Sequence, residues 1–452
     1  MKEKTNPISF PLLTLLFFAW GFITCLNDIL IPYFKKTFEL SFFESSLVQF
    51  SFFGAYFLGS LLYYFISQRS GDPINRMGYK NGILLGLLIS GTGTTLFFPA
   101  AEFASFPLFL FALMILAMGF TLLQIASNPF VAIIGAEETA PQRLNLAQAM
   151  NSLGTTLAPI IGGALILSQT DMSLEDVKMP YLFFSLCFVL LMVLFKWAPL
   201  PVFVNQEKSN KIKIGDFPQL KYGILAIFFY VGSEVSIGSF LTGFAELPEI
   251  MGLNGQEATV FVSLYWGSLM IGRFTGSALL FSKNKSMEIL LTLFLPLATF
   301  VLLLLVFKWK SFEIQTLLPY TAYIILSSLI TLAAGRSSSK MLLYYSLSSF
   351  VLLLTGATTE GSFALFTVVS VGLFNAVMWP VIFTSAIKGL GDYTSTGSSL
   401  LVMAILGGAL LPPIQGLIAD HFNLRISYFI PAIGYLYLAW YGIKLRSIFP
   451  EK

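Results

Sequence analysis

The chain reads as an all-α polytopic membrane protein, and three observations carry that reading. Of its 452 residues, 56% are hydrophobic and only 11% are charged, against roughly 25% charged in a soluble domain. Apolar runs of about twenty residues, the length that crosses a bilayer as a helix, recur from end to end. Those runs are continuous rather than alternating, which excludes a transmembrane β-barrel built from strands of about ten residues.

The residue inventory removes several function classes. Two cysteines, Cys25 and Cys187, both lie in apolar runs and give neither a disulfide framework nor a zinc cluster. A single histidine, His421, leaves little material for a His-rich metal site or a catalytic triad. No G-x-x-x-x-G-K-[ST] run is present, so the chain carries no P-loop and is not a self-contained ATP-driven pump. No H-E-x-x-H or G-x-S-x-G motif supports an intramembrane enzyme, and no nucleic-acid partner is expected. The short basic segment from Met1 to Asn6 leads into an apolar run longer than a signal peptide, so the first run is expected to be a retained helix.

Taken in order, the runs predict spans at 9–34, 46–68, 81–100, 105–135, 144–168 and 180–198. A polar stretch follows, and eight more spans fall at 222–246, 257–281, 287–307, 315–334, 341–355, 362–387, 395–419 and 427–446. With the N-terminus in the cytoplasm, 19 of the 26 Lys and Arg residues fall on the cytoplasmic side and 6 on the other. Arg273 alone stays within a span. That bias is the positive-inside signature and puts both termini in the cytoplasm.

Weak internal similarity divides the spans into two parallel halves, an arrangement common among transporters. Phe17-Phe18-Ala19-Trp20-Gly21 recurs as Phe228-Phe229-Tyr230-Val231-Gly232. Gln124 and Pro129 are mirrored by Asn375 and Pro380, and Gly154, Pro159 and Gly162 by Gly408, Pro413 and Gly416. The offset between matches grows from 213 in the second span to 251 in the fourth, about one transmembrane hairpin. The sequence therefore predicts two six-helix bundles plus an inserted transmembrane hairpin near 283–335, fourteen spans in total. The expected organisation is an N-terminal bundle at 1–200, a cytoplasmic linker at 201–220 and a C-terminal bundle at 221–452.

Ionisable residues inside a membrane are costly and are functional candidates by default. Asp28 lies deep in the first span and Glu234 in the repeat-related seventh. Arg273 lies about 12 Å from the cytoplasmic end of its span by helical rise, which suits snorkelling or pairing with a carboxylate at a gate. Gln124 and Asn128 share a helix face, and Asn145, Gln148 and Asn151 continue a polar stripe at helical spacing. Amides both donate and accept, which suits a hydroxyl-rich uncharged ligand such as a sugar; they also serve as glue between helices. Asn375 and Trp379 add an amide and an aromatic face, either for a sugar ring or for packing.

These residues sit in stretches that resemble the major facilitator superfamily, and within it the fucose–galactose–glucose symporter family. The matching stretches are Leu26-Asn27-Asp28-Ile29-Leu30, Ala126-Ser127-Asn128-Pro129-Phe130, Arg143-Leu144-Asn145-Leu146-Ala147-Gln148, Tyr230-Val231-Gly232-Ser233-Glu234, Ile271-Gly272-Arg273-Phe274, and Gly372-Leu373-Phe374-Asn375 with Ile387-Lys388-Gly389-Leu390-Gly391. The superfamily's cytoplasmic loop after the second helix is loosely matched by Asn75-Arg76-Met77-Gly78-Tyr79-Lys80, with Asn75 where an aspartate is usual. The resemblance implies the major facilitator fold and alternating access in the bacterial inner membrane, with a monosaccharide carried alongside a cation. In the fucose branch the carboxylate matching Asp28 couples protonation to transport, and a second carboxylate stands where this chain has Gln124. That difference points to the glucose/galactose branch and opens sodium coupling, with a possible sodium site near Asp28 or Glu234.

The expectation is thus a monomeric symporter in the lipid bilayer. Asp28 and Glu234 are its coupling carboxylates, and Asn27, Gln124, Asn128, Asn145, Gln148, Asn151, Asn375 and Trp379 its sugar ligands. Arg273 and Arg76 take gating or structural roles. No cofactor is expected beyond the coupling ion, sodium or proton. Export of sugars or amphipathic compounds, and a sugar sensor that no longer transports, are the alternative readings.

Overall fold

A computed structural model of the chain describes residues 9–39, 42–166, 175–201, 212–282, 284–309 and 312–450. Within those ranges the side chains of 26–33, 35–36, 42–46 and 159–166, with a few others, lie outside the description. Every regular element among the described residues is helical, as hydrocarbon requires when no water is present to satisfy backbone N–H and C=O groups.

In chain order the helices begin with α1 (Ser9–Thr37), α2 (Phe42–Ser70), α3 (Pro73–Met77), α4 (Tyr79–Thr95), α5 (Phe97–Glu102) and α6 (Phe106–Ile133). Next come α7 (Ala140–Ile166), α8 (Glu175–Trp197), α9 (Pro218–Glu246), α10 (Gly255–Phe281), α11 (Lys285–Trp309) and α12 (Thr321–Ala334). The chain closes with α13 (Ser338–Thr358), α14 (Gly361–Ile387), α15 (Thr394–Met403), α16 (Gly407–His421), α17 (Leu424–Ser427) and α18 (Phe429–Ile448). Their starts follow local chemistry. Ser105 caps α6 by accepting from Leu108 N at 3.4 Å, and Pro107 occupies the first turn, where its missing N–H costs nothing. Ser337 caps α13 by accepting from Lys340 N at 3.2 Å.

The chain forms two compact units. The first comprises Met1–Glu137, Met150–Lys213 and Ile387–Ala404; the second comprises Glu138–Ala149, Ile214–Ala386 and Ile405–Lys452. In the first unit the core is aromatic: Phe97 stacks on Tyr181 with ring centroids 3.8 Å apart, and Tyr79 lies parallel to Phe130 at 5.5 Å. In the second unit an 18-residue apolar window of α14 is buried throughout, so this helix is the unit's centre. Phe50, Phe111, Leu302 and Ile433 are exposed, an exterior suited to hydrocarbon rather than water.

The expected fourteen spans with an inserted hairpin are corrected by the helices themselves. Among the described residues eleven helices are long and apolar enough to cross a membrane, beside one shorter apolar stretch, Phe10–Cys25. That count suits a twelve-span fold. The sequence reading admitted any run near twenty residues without clustered charge. Run length alone therefore set its count, with polar helices such as α7 and α10 taken alongside the purely apolar runs. Nor do residues 283–335 stand apart as an insertion. Tyr320, just ahead of α12, is fully buried, its hydroxyl 2.6 Å from Ser268 Oγ on α10, and its ring neighbours Phe300 and Phe366. The offset jump rested on single Gly, Pro and amide matches, which hold little positional information.

One loop in the first unit is built around a buried carboxylate that the sequence reading passed over. Gly71 and Gly78 bracket α3 with φ of 83° and 82°, backbone values that glycine adopts without strain. Between them Asp72 is 3% exposed and its carboxylate accepts five hydrogen bonds. Oδ1 accepts from Tyr63 Oη (2.6 Å), Ile74 N (2.9 Å) and Asn75 N (3.4 Å). Oδ2 accepts from Ser395 Oγ (2.7 Å) and Thr396 Oγ1 (2.6 Å), in the first turn of α15. The available signal was Asp-Pro, an N-cap residue followed by proline at the first helical position. Arg76, on α3, is exposed and lies over Gly71.

Candidate functional site

Buried polar side chains occur on the long helices of both units. In the first, Gln124 and Asn128 are buried on α6, one turn apart. The buried Tyr56 of α2 lies near Gln124 and near Trp20 of α1. Asn128 is 0% exposed, and neither its Oδ1 nor its Nδ2 has a partner. A buried amide left unpaired costs about 1–3 kcal/mol, which singles Asn128 out from its satisfied neighbours. Asn151 is already engaged: its Nδ2 donates to Phe17 O at 3.1 Å, where α7 crosses α1 at Gly21. Asn27 and Asp28 belong to α1, but their side chains lie outside the described residues.

In the second unit the cluster is centred on Glu234 of α9. Its Oε2 accepts from the hydroxyl of Tyr230, one turn earlier. Its main-chain oxygen accepts from Tyr265 Oη of α10 at 2.8 Å. Asn375 Nδ2 of α14 donates to that same Tyr265 Oη at 3.1 Å, and Asn375 Oδ1 accepts from Tyr435 Oη of α18 at 2.7 Å. Both ends of the Asn375 amide are therefore spent on tyrosines. Its geometry makes it the clamp that holds Tyr265 and Tyr435 in place.

Trp379 lies one turn further along α14, with its ring 6.4 Å from Tyr230 and stacked on Phe383 at 5.9 Å. Its indole Nε1 is buried without a partner. Asn145, near the start of α7, is 1% exposed with both amide atoms unpartnered, and it lies against Gly276 of α10. Gln148 is buried one turn on, and its carbonyl accepts from Arg273 Nη1 at 3.3 Å. Arg273 is also the cation whose field reaches Glu234.

The structure thus ties Glu234 to Asn375 through Tyr265, with Trp379 beside Tyr230, and joins Arg273 to the Gln148 carbonyl, with Asn145 lying against Gly276. Sequence reasoning missed Tyr56, Tyr230, Tyr265 and Tyr435. In a chain with 46 Phe and 18 Tyr, a tyrosine in a span looks like core until its hydroxyl is seen to have a partner. Among the described residues no group of three or more His, Cys, Asp or Glu side chains is placed to hold a metal ion.

Long apolar helices around buried polar groups define a class, the multi-pass membrane proteins. The chain belongs to the Major Facilitator Superfamily, whose sequence profile matches residues 12–314. It is 39% identical to the glucose/galactose transporter of Brucella abortus over 98% of this chain and 95% of that one. It is 38% identical to a putative glucose/galactose transporter of Helicobacter pylori over 98% of both chains. A crystal structure of the Escherichia coli fucose:proton symporter aligns with a TM-score of 0.75 at 26% identity, covering 98% of this chain and 99% of the other. So little of either chain is left over that a two-helix insertion has no place, which completes the correction of the span count. The family and these neighbours are transporters and not enzymes.

Proposed function

We propose that the chain is a secondary active symporter that imports a monosaccharide of the glucose or galactose type by alternating access, coupled to entry of sodium or protons. The observation that carries this reading is the end-to-end similarity to a protein named glucose/galactose transporter. The chemistry of the polar groups agrees with it. Asn128 and Asn145 offer amides with donor and acceptor both free, which match hydroxyls and bring no charge to be neutralised. Trp379 offers an apolar ring face and a free indole N–H, the pairing that a sugar ring with C–H and O–H groups uses. Gln148 contributes from the same helix as Asn145, and Gln124 from the same face as Asn128.

Asp28 and Glu234 are the proposed coupling carboxylates. Either becomes a hard-cation ligand together with amide and main-chain oxygens, or takes up a proton. The coupling ion is the only accessory group in this reading. The transporter works as a single copy in the bacterial inner membrane, with both termini in the cytoplasm.

Counterflow tests the substrate class without any gradient. Proteoliposomes loaded with unlabelled glucose or galactose are diluted into the labelled sugar. Transient accumulation of label is the expected result, and a flat trace for every hexose tried contradicts the proposal. Uptake by right-side-out vesicles then separates import from export.

A further inference from the structure

The reading above makes no use of the seam between α9 and α18, two helices of the second unit. They pair antiparallel: Ser233 Oγ donates to Pro431 O at 3.0 Å, Tyr437 Oη to Tyr222 O at 3.1 Å and Tyr441 Oη to Gln219 O at 2.8 Å. The start of α9 and the end of α18 therefore lie side by side, at the end that the positive-inside bias assigns to the cytoplasm. Aromatic rings crowd the seam there. Tyr222 meets Trp440 with centroids 5.1 Å apart, Trp440 meets Tyr437 at 5.3 Å, and Tyr437 meets Phe229 at 5.2 Å. Such rings settle at the level of lipid headgroups, where one edge is wet and the body is apolar. Trp440 is exposed, and so are Leu436 and Ile433, four and seven residues earlier on the same face of α18. Leu225 extends this apolar surface on α9, one turn after Tyr222.

The charge at this corner is mainly positive. Lys221 is exposed, with Nζ 5.8 Å from the centre of the Tyr222 ring. Lys444 is half-buried one turn beyond Trp440, and Arg446 is exposed two residues further on. Lys178, Lys285, Lys388 and Arg425 each pair with a carboxylate. Among the described residues Lys221, Lys444 and Arg446 make no ion pair, not even with Asp216, which is exposed in the turn ahead of α9. We propose that this corner of the seam is a binding site for one anionic phospholipid, its phosphate drawn to Lys221 and Lys444 and its acyl chains laid along Leu225, Leu436 and Ile433. Each half of the surface matches one half of that occupant. A free anion meets only the charged half, and a zwitterionic phospholipid brings a cation of its own to cations that need none. The lipid bridges the helices that carry Glu234 and Tyr435, so its binding braces the second unit. Neither the sugar nor the coupling ion enters this inference.

Lipid titration of the full chain in neutral detergent tests it. Native mass spectrometry is expected to show one phosphatidylglycerol retained at concentrations where phosphatidylcholine is lost. The thermal midpoint is expected to rise with phosphatidylglycerol by several degrees and then saturate. A basic residue at an anionic lipid surface strengthens attachment about fivefold, so K221Q/K444Q is expected to weaken retention about twentyfold. Its midpoint response should fall to that seen with phosphatidylcholine, while K221R/K444R keeps both effects. K196Q/K308Q removes the same charge from exposed positions elsewhere and is expected to respond like the parent. Inorganic phosphate is expected to leave the midpoint unchanged; a rise with it would assign the corner to a free anion and overturn the lipid. Brominated phosphatidylglycerol gives a readout that needs no change of charge and decides the matter if K221Q/K444Q does not fold. It is expected to quench a saturable part of the tryptophan emission, a part that W440F removes, at about tenfold lower concentration than brominated phosphatidylcholine. Equal retention or quenching by the two lipids, or a parental response in K221Q/K444Q, overturns the proposal. Equal loss in K196Q/K308Q overturns it too, because it would mark a general basic and aromatic belt.

Discussion

At the scale of single residues, Asn128 and Asn145 stand out among the described residues as buried amides with both atoms unpartnered. Removing such a group relieves a desolvation cost, whereas removing an amide that is already satisfied leaves its partners stranded. Asn145→Ala is therefore expected to leave the thermal midpoint in detergent unchanged or raised while the hexose KM rises about tenfold or more. Asn375→Ala is expected to behave in the opposite way. It strands the hydroxyls of Tyr265 and Tyr435 and should cost about 2 kcal/mol of stability, measured by thermal unfolding. The polar stripe on α6 and α7 was legible in the sequence because helical spacing puts its amides on one face. The division of labour among those amides was not. Whether an amide is spent or free depends on tyrosines that come from other helices, and no spacing within one helix reveals that.

Among the elements, the loop between α2 and α4 and the crossing of α10 with α14 carry the most specific packing. Asp72 gathers five donors in a site almost closed to solvent. Asp72→Ala is expected to destabilise the first unit by about 3 kcal/mol, because it leaves buried hydroxyls and N–H groups without an acceptor. Asp72→Asn keeps one acceptor oxygen and should cost about half as much; equal melting of both variants and the parent would remove Asp72 from this role. Gly272→Val forces α10 away from the Leu373 carbonyl and is expected to lower both stability and transport rate. Helix type and approximate position were readable from apolar runs alone, since hydrocarbon leaves the backbone no other spanning form. The number of spans was not. Run length near twenty residues does not separate a strongly apolar span from a polar helix such as α7, and weak internal repeats do not fix an insertion.

For the whole molecule, scarcity of charge is the organising fact. With 11% charged residues, most cations mark the ends of helices, and the few ionisable groups left within spans stand out as candidates for coupling. The family itself was legible from short motifs around Asp28, Asn145, Glu234 and Arg273. The coupling ion was not, because a carboxylate beside amide and main-chain oxygens suits a proton and a sodium ion alike. The central claim is that a cation gradient drives hexose uptake through Asp28. It is tested most directly in proteoliposomes given an inward proton gradient or an inward sodium gradient, separately, with the parental chain and with Asp28→Asn. The account predicts that one of the two gradients concentrates glucose or galactose above the external level in the parent. It predicts that Asp28→Asn abolishes that accumulation while counterflow continues. Gradient-driven accumulation that survives in Asp28→Asn, or its absence from the parent under both gradients, would contradict it.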